Sequence, residues 1–202
     1  FTVGQIEKFY SAFFPRWKKE AYYELLKKLQ VLPSQKLSTM SCGQRSQVAL
    51  GLLFAQDPEL LILDDFSMGL DPGYRRLFVE YLKEYASAEN KTVFLTSHII
   101  QDMELLIDDC MIMDYGRLLL HKPVDEIMSK FRRYRFVAPN DDFKIEADKD
   151  LWNPSVIGSK WEVYSFLPAN DIAAKLGTFG INEIKEEKLS LEDAFIGLTG
   201  KY

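Results

Sequence analysis

Only two cysteines, Cys42 and Cys110, and two histidines, His98 and His121, occur in the 202 residues. The cysteines show neither a disulfide framework nor metal-ligand spacing, so a reduced, cytosolic setting is expected and a structural zinc site is not. No apolar run approaches the roughly 18 residues a membrane-spanning helix needs. The longest are short and end in acids, as in "LLILDD". The opening "FTVGQIEKFY" lacks the basic and apolar regions of a signal peptide. Excess basic charge is lacking as well: 25 Lys and Arg face 30 Asp and Glu, a net charge of −5. Neither a nucleic-acid partner nor a polybasic membrane patch is expected from that balance. Also missing is the phosphate-cradling loop G-x-x-x-x-G-K-S/T. The nearest imitation is Gly200-Lys201, with Phe195 in the first glycine position and Tyr202 after the lysine.

What is present is an ordinary globular composition, 47% hydrophobic and 27% charged, enough for one large domain or two small ones. Residues 2–14 read as a capped helix ending before Pro15. Residues 18–30 read as a second, with Ala21, Leu25, Leu26 and Leu29 on one face. This opening part is basic and rich in aromatics, among them Phe9, Phe13, Phe14 and Trp17. It fits either a helical core with a solvated basic face or a docking surface for a partner. A third helix is expected from Ser41 through Val48, Leu52 and Phe54 to Asp57-Pro58.

Then "ELLILDD", "KTVFLTSH" and "DCMIMDYG" read as continuous apolar strands. The helix "DPGYRRLFVEYLKEYASAEN" separates the first two, with Asp71 as N-cap and Pro72 at the first position. "IIQDMELLIDD", also read as helical, separates the second and third. Apolar strands alternating with helices predict a parallel sheet covered on both faces. Beyond about residue 130 the pattern changes to antiparallel strands in "RYRFVAP" and "SVIGSKWEVYSFL", the latter turning at Gly158-Ser159. A helix capped by Asn170, a strand in "INEIKEEKL" and a closing helix in "SLEDAFIGLTG" complete a small α+β region.

The candidate chemistry follows from that order. In parallel sheets ligands bind beyond the carboxyl ends of the strands, and Asp64, Asp65 and His98 all stand at such ends. Consecutive acids at a strand end diverge, one toward a metal ion and the other toward a water. Ser41 and Gln44 in "MSCGQ" fit the S-x-x-Q capping box, and a capped helix start is also a place where amides and the helix dipole suit a phosphate.

Taken together, these motifs resemble the ATPase domain of ABC transporters, in particular bacterial exporter ATPases. Ser41, Gly43 and Gln44 match the signature L-S-G-G-Q. "RSQVALGLLFAQDPELLILDD" matches the stretch leading into Walker B, Gly69 to Pro72 match the D-loop, and His98 matches the switch histidine. The resemblance covers residues 1–125. It implies an α/β, P-loop NTPase-like parallel sheet with a helical subdomain, lacking the Walker A portion, plus a small C-terminal α+β domain. The implied divisions are 1–50 (helical subdomain), 51–130 (core) and 131–202 (C-terminal domain). It further implies ATP and Mg²⁺ as cofactors, with Asp64 holding Mg²⁺, Asp65 polarising the attacking water and His98 contacting the γ-phosphate. Ser41, Cys42, Gly43 and Gln44 would serve the ATP held by a second ATPase subunit, in a homo- or heterodimer with Asp71 at its seam. A transmembrane permease subunit would hold the assembly at the inner, cytoplasmic face of the cell membrane.

Three departures qualify this resemblance. The chain begins with Phe and has no Walker A loop, so it is expected to be the C-terminal part of a longer subunit that by itself neither binds nor hydrolyses ATP. Asp65 replaces the family's glutamate and is one methylene shorter, which implies slow turnover unless the backbone shifts to compensate. Cys42 replaces a glycine where backbone approaches phosphate, unless its side chain points away. Two other classes stay open: a soluble ABC-type ATPase acting on DNA or ribosomes, and a hydrolysis-poor regulatory module.

Overall fold

The computed structural model describes residues 1–67, 70–88, 90–101, 103–158 and 160–200. Gly69 of the D-loop match, Ser159 of the expected turn, and Lys201 and Tyr202 lie outside them. The chain divides into two compact units, Phe1–Asp102 and Met103–Tyr202.

In the first unit, Thr2 opens helix α1 (Val3–Ser11) with a reciprocal capping box to Gln5. Helix α2 (Lys19–Lys28) buries Tyr22, Leu25 and Leu26. It packs on α3 (Cys42–Ala55), which buries Val48, Gly51, Leu52 and Phe54. Glycine at position 51 permits the approach, since a Cβ there would lie 3.0 Å from Cδ2 of Tyr22. The Phe54 ring then meets Phe78, Tyr81 and Tyr85 of α4 (Pro72–Ala88) at centroid distances of 5.7, 5.3 and 4.8 Å. Such aromatic clusters add to the transfer free energy of the rings they bury.

Strands β1 (Leu60–Asp64) and β2 (Thr92–Thr96) pair in parallel, from Leu60 with Thr92 to Asp64 with Thr96. The period-2 alternation buries Leu61 and Leu63 on one face. On the other, Leu60, Ile62 and Phe94 remain 51%, 67% and 54% exposed. Cover on both faces was expected; among the described residues it is present on one. Beneath the strands, the Lys91 ammonium lies 2.6 Å from Asp57, which also pairs with Lys18 at 3.2 Å.

Among the described residues of 99–109 the expected helix does not form; the Leu106 and Ile107 amides both donate to the Met103 carbonyl in a turn. Asp108 and Asp109 would place negative charge at that helix's C-terminal end, where the macrodipole disfavours it.

In the second unit, β3 (Asp109–Asp114) and β4 (Arg117–Pro123) form an antiparallel hairpin. "DCMIMDYG" is therefore an arm of a hairpin and not a further parallel strand. Tyr115 and Gly116 turn it, both left-handed at φ 44° and 75°. A two-residue loop of that hand closes antiparallel strands, whereas a parallel partner needs a long crossover. Helix α5 (Val124–Lys130) follows.

Strands β5 (Arg132–Phe136), β6 (Trp152–Ile157), β7 (Lys160–Ser165) and β8 (Lys185–Lys188) build an antiparallel sheet in the order β6-β7-β5-β8. Helix α6 (Ala169–Gly177) links β7 to β8, and α7 (Leu191–Thr199) ends the described chain. This is a split β-α-β arrangement in which residues 137–151 replace the first crossover helix. Phe143 and Ile145 from that segment join Tyr134, Phe136, Val163, Ile172 and Leu176 in the core. Asn170, expected as a cap, lies inside α6; Pro168 is the N-cap and makes no side-chain cap bond.

Charged side chains of β5, β7 and β8 pair across the sheet. Arg133 and Arg135 pair with Glu187 at 3.0 and 3.2 Å, and Arg135 with the buried Glu162 at 3.2 Å.

Candidate functional site

The strand ends of β1 and β2 bring Asp64, Asp65, Thr96 and His98 together. The parallel register sets Asp64 opposite Thr96, and the Thr96 hydroxyl donates to Asp64 Oδ1 at 2.5 Å. The next residue leaves the strand, because Asp65 adopts a left-handed backbone at φ 44°. Aspartate tolerates this region better than most residues with a Cβ. The turn is anchored by the Asp65 amide, which donates to the Thr96 carbonyl at 3.1 Å and to its hydroxyl at 3.0 Å. Asp65 Oδ1 lies 2.8 Å from Nδ1 of His98. The adjacent acids thus have different partners, and the His98 side chain is 64% exposed.

The start of α3 is a second locus. Ser41 Oγ accepts from the Gln44 amide at 3.2 Å, and Gln44 Oε1 accepts from the Ser41 amide at 3.1 Å. This reciprocal box satisfies two of the otherwise unpaired amides at the helix entrance. Cys42 is exposed, and Gly43 and Gln44 are half-buried. Arg45 and Ser46 hold the first turn by donating to the Met40 and Cys42 carbonyls at 2.7 and 3.2 Å.

Asp71 stands at a third locus, capping α4 through its Oδ1, which accepts from the Tyr74 amide at 3.2 Å. The capping bonds at the α3 entrance and at α4 are each local, between residues three apart.

Among the described residues, no group of three or more His, Cys, Asp or Glu side chains is arranged to hold a metal ion. One carboxylate beside a hydroxyl does suit Mg²⁺. That ion keeps several waters and, in nucleotide sites, takes further ligands from substrate phosphates, with only one or two carboxylates from the protein.

Two residues at the site carry no signal that sequence reading used. Thr96 is the last residue of "TVFLT", and only the strand register reveals that it faces Asp64. Ser67 follows the acids by two residues, and its Oγ is buried with no partner among the described residues.

A family model described as AAA domain, putative AbiEii toxin, Type IV TA system, matches residues 10–101. Among curated proteins, the chain is 30% identical over 167 residues to the Nod factor export ATP-binding protein I of Cupriavidus metallidurans, covering 80% of this chain and 54% of that protein. It is 26% identical over 200 residues to the bacitracin transport ATP-binding protein BcrA of Bacillus licheniformis, covering 91% of this chain and 63% of that one. The chain spans about half the length of the first of these, and 55% of the ABC transporter ATP-binding protein YhcH of Bacillus subtilis.

Among solved structures, it shares the fold of CbiO1 of Clostridium perfringens, part of the ABC transporter complex CbiONQ. The TM-score is 0.52 and the identity 24%, over 64% of this chain and 53% of that one. An ATP-binding subunit of another ABC transporter gives a TM-score of 0.54 at 22% identity, over 64% and 55% of the two chains. Sequence relatives and structural neighbours agree: the chain has the α/β fold of the ABC ATPases and is related to the ATP-binding subunits of ABC transporters, of which it spans a part.

Proposed function

We propose that these residues supply the signature motif, Walker B acids, D-loop and switch histidine of an ABC-type ATPase. In this reading two ATPase subunits, identical or not, close head to tail around ATP and Mg²⁺ and power transport through a transmembrane permease subunit at the inner face of the cell membrane. The observation that carries the reading is the hydrogen bond between Asp65 and His98 at the ends of paired parallel strands. It sets a carboxylate and an imidazole together where α/β sheets bind ligands.

The roles follow from the chemistry of each group. Asp64, at the end of β1, holds Mg²⁺, which supplies charge stabilisation to the transferring phosphoryl group. Asp65 offers one oxygen to His98 and keeps the other for the attacking water, acting as its general base. With Nδ1 directed at Asp65, the His98 ring presents Nε2 toward the γ-phosphate. Ser41, Cys42, Gly43 and Gln44 set the entrance of α3 toward the phosphates of the partner subunit's ATP, and Asp71 lies at the seam.

Within this reading, residues 1–50 form the helical subdomain, 51–130 belong to the nucleotide core and 131–202 form the accessory domain. The permease subunit docks on the basic, aromatic opening helices, where Phe9 of α1 and Phe13 just beyond it are 51% and 66% exposed beside Lys8. Among the described residues, no helix is long and apolar enough to cross a membrane, so this attachment runs through the partner. The missing phosphate-cradling loop and the open face of Leu60, Ile62 and Phe94 support a further point: these 202 residues alone neither bind nor hydrolyse ATP.

Calorimetric titration of the chain with ATP and Mg²⁺ tests this. No heat of binding is expected up to millimolar nucleotide, and micromolar binding overturns the claim that the cradle comes from elsewhere.

A further inference from the structure

We infer that Thr96 is a positioning residue that fixes the Asp64 carboxylate for its cation and at the same time ties down the turn that aims Asp65. The inference rests on the proposed metal-holding role of Asp64 and adds a residue to that site.

The assignment of the hydroxyl follows from counting protons. Thr96 Oγ1 has one proton and two lone pairs. The Asp65 amide can only donate, so Oγ1 accepts from it at 3.0 Å. The hydroxyl proton is then free for Asp64, whose Oδ1 lies 2.5 Å away. One hydroxyl therefore joins the two acids through opposite roles, acceptor from the Asp65 backbone and donor to the Asp64 side chain. The parallel register sets Thr96 opposite Asp64, with their side chains on the same face of the strand pair.

That geometry matters because Asp64 is exposed at a strand end, where a short carboxylate samples several rotamers unless something holds it. Mg²⁺ demands near-octahedral ligands at close distance, and a ligand carboxylate oriented by an outer hydrogen bond meets that demand at lower entropic cost. With Oδ1 held by the hydroxyl proton, Oδ2 stays available to the cation. β2 thus serves both acids from one strand end, Asp64 through Thr96 and Asp65 through His98 two residues further on.

Four isotopically labelled forms of the full 202-residue chain, wild type, Thr96→Val, Thr96→Ser and Thr96→Ala, test the inference. Three-bond couplings read the χ1 rotamer of Asp64, and line broadening by Mn²⁺ reads cation binding at the same residue. Wild type and Thr96→Ser are expected to hold one Asp64 rotamer. Thr96→Val, which keeps the shape and loses the hydroxyl, and Thr96→Ala are expected to average it and to bind Mn²⁺ about 10-fold more weakly. The Ser and Ala forms differ by a single oxygen, so that comparison holds even where the Val form is perturbed elsewhere. A single, unchanged Asp64 rotamer in Thr96→Val and Thr96→Ala overturns the inference. A fixed rotamer in wild type that is lost without the hydroxyl, but with no Mn²⁺ broadening at Asp64 in any form, supports the positioning and overturns the metal role given to Asp64.

Discussion

Nδ1 of His98 lies 2.8 Å from Oδ1 of Asp65, across 33 residues of sequence. The contact exists because Asp65 turns left-handed immediately after β1. In an ATP-hydrolysing protein that carries these residues in the proposed roles, Asp65→Asn is expected to lower turnover by roughly 10²–10⁴-fold, the span of a lost general base, and Asp65→Glu to raise it. Stability moves the other way: asparagine suits the left-handed region and glutamate does not, so Asp65→Glu melts lower than Asp65→Asn. Steady-state hydrolysis rates and thermal melts of both variants check the pair of outcomes, and equal rates in all three forms remove Asp65 from the chemistry.

Ser41 has two separable jobs. Ser41→Ala removes the cap on α3 and is expected to cost about 1 kcal/mol by urea denaturation. Ser41→Asp keeps an acceptor for the Gln44 amide and restores that stability, yet sets a negative charge against phosphate. The proposed ATP-driven dimerisation, read by light scattering of a nucleotide-binding protein that carries these residues, should be lost in Ser41→Asp; retention places the phosphate elsewhere.

The two thiols differ in exposure. Cys42 is exposed, whereas burial pushes the Cys110 thiol up from its usual range. Because the thiolate is the reacting form, iodoacetamide at pH 8 should label Cys42 well before Cys110, as read by peptide mass spectrometry. Full labelling of Cys42 should also weaken the proposed ATP-driven dimerisation in a nucleotide-binding protein that carries these residues. Unaltered dimerisation shows that the side chain points away from the interface.

Glycine at position 197 is enforced by packing. A Cβ there would lie 2.4 Å from Cδ1 of Tyr164, so Gly197→Ala forces helix and sheet apart and is expected to cost about 1–3 kcal/mol. Gly177, at the end of α6, has nothing within 4 Å of such a Cβ. Gly177→Ala should therefore be neutral or stabilising, by up to about 1 kcal/mol of helix propensity. Urea midpoints of the two variants moving in the same direction would falsify the packing account.

Acid stability depends on Asp57. The hydrogen bond from Lys91 holds its carboxyl below the usual carboxylate range. A lowered folded-state pKa contributes stability above the unfolded value and loses it as pH falls through the folded value. Asp57→Asn keeps a residue suited to the positive φ of 52° but leaves the buried Lys91 ammonium without its anion. The expected loss is about 1–3 kcal/mol at neutral pH, shrinking toward acid pH, where wild-type Asp57 is itself protonated. Denaturation midpoints measured from pH 7 down to pH 2.5 check the convergence.

Much of the local structure was legible because its determinants lie within three residues of each other. The caps at Thr2, Ser41 and Asp71 are side chains reaching amides three positions ahead, and the periodicity of β1 and α3 follows from one buried face. The same reasoning misplaced "IIQDMELLIDD" and "DCMIMDYG". In the first, acids at the expected helix end outweigh the spacing of Met103, Leu105 and Leu106. In the second, Tyr115-Gly116 carries the signal of a tight hairpin, and the apolar run before it drew the reading toward a parallel strand. At the candidate site the order of Asp64, Asp65 and His98 was readable; their pairing was not, because hydrogen bonds between strand ends depend on register.

By itself the sequence determined the family relationship, the helix starts and the placing of two acids and a histidine at strand ends, since each is encoded in residue type and short-range spacing. Tertiary structure alone decided which acid pairs with which partner, that Thr96 serves both, and that Tyr164 leaves no room for a side chain at position 197. Those outcomes rest on groups 30 or more residues apart, brought within hydrogen-bonding or van der Waals distance by strand register and helix packing.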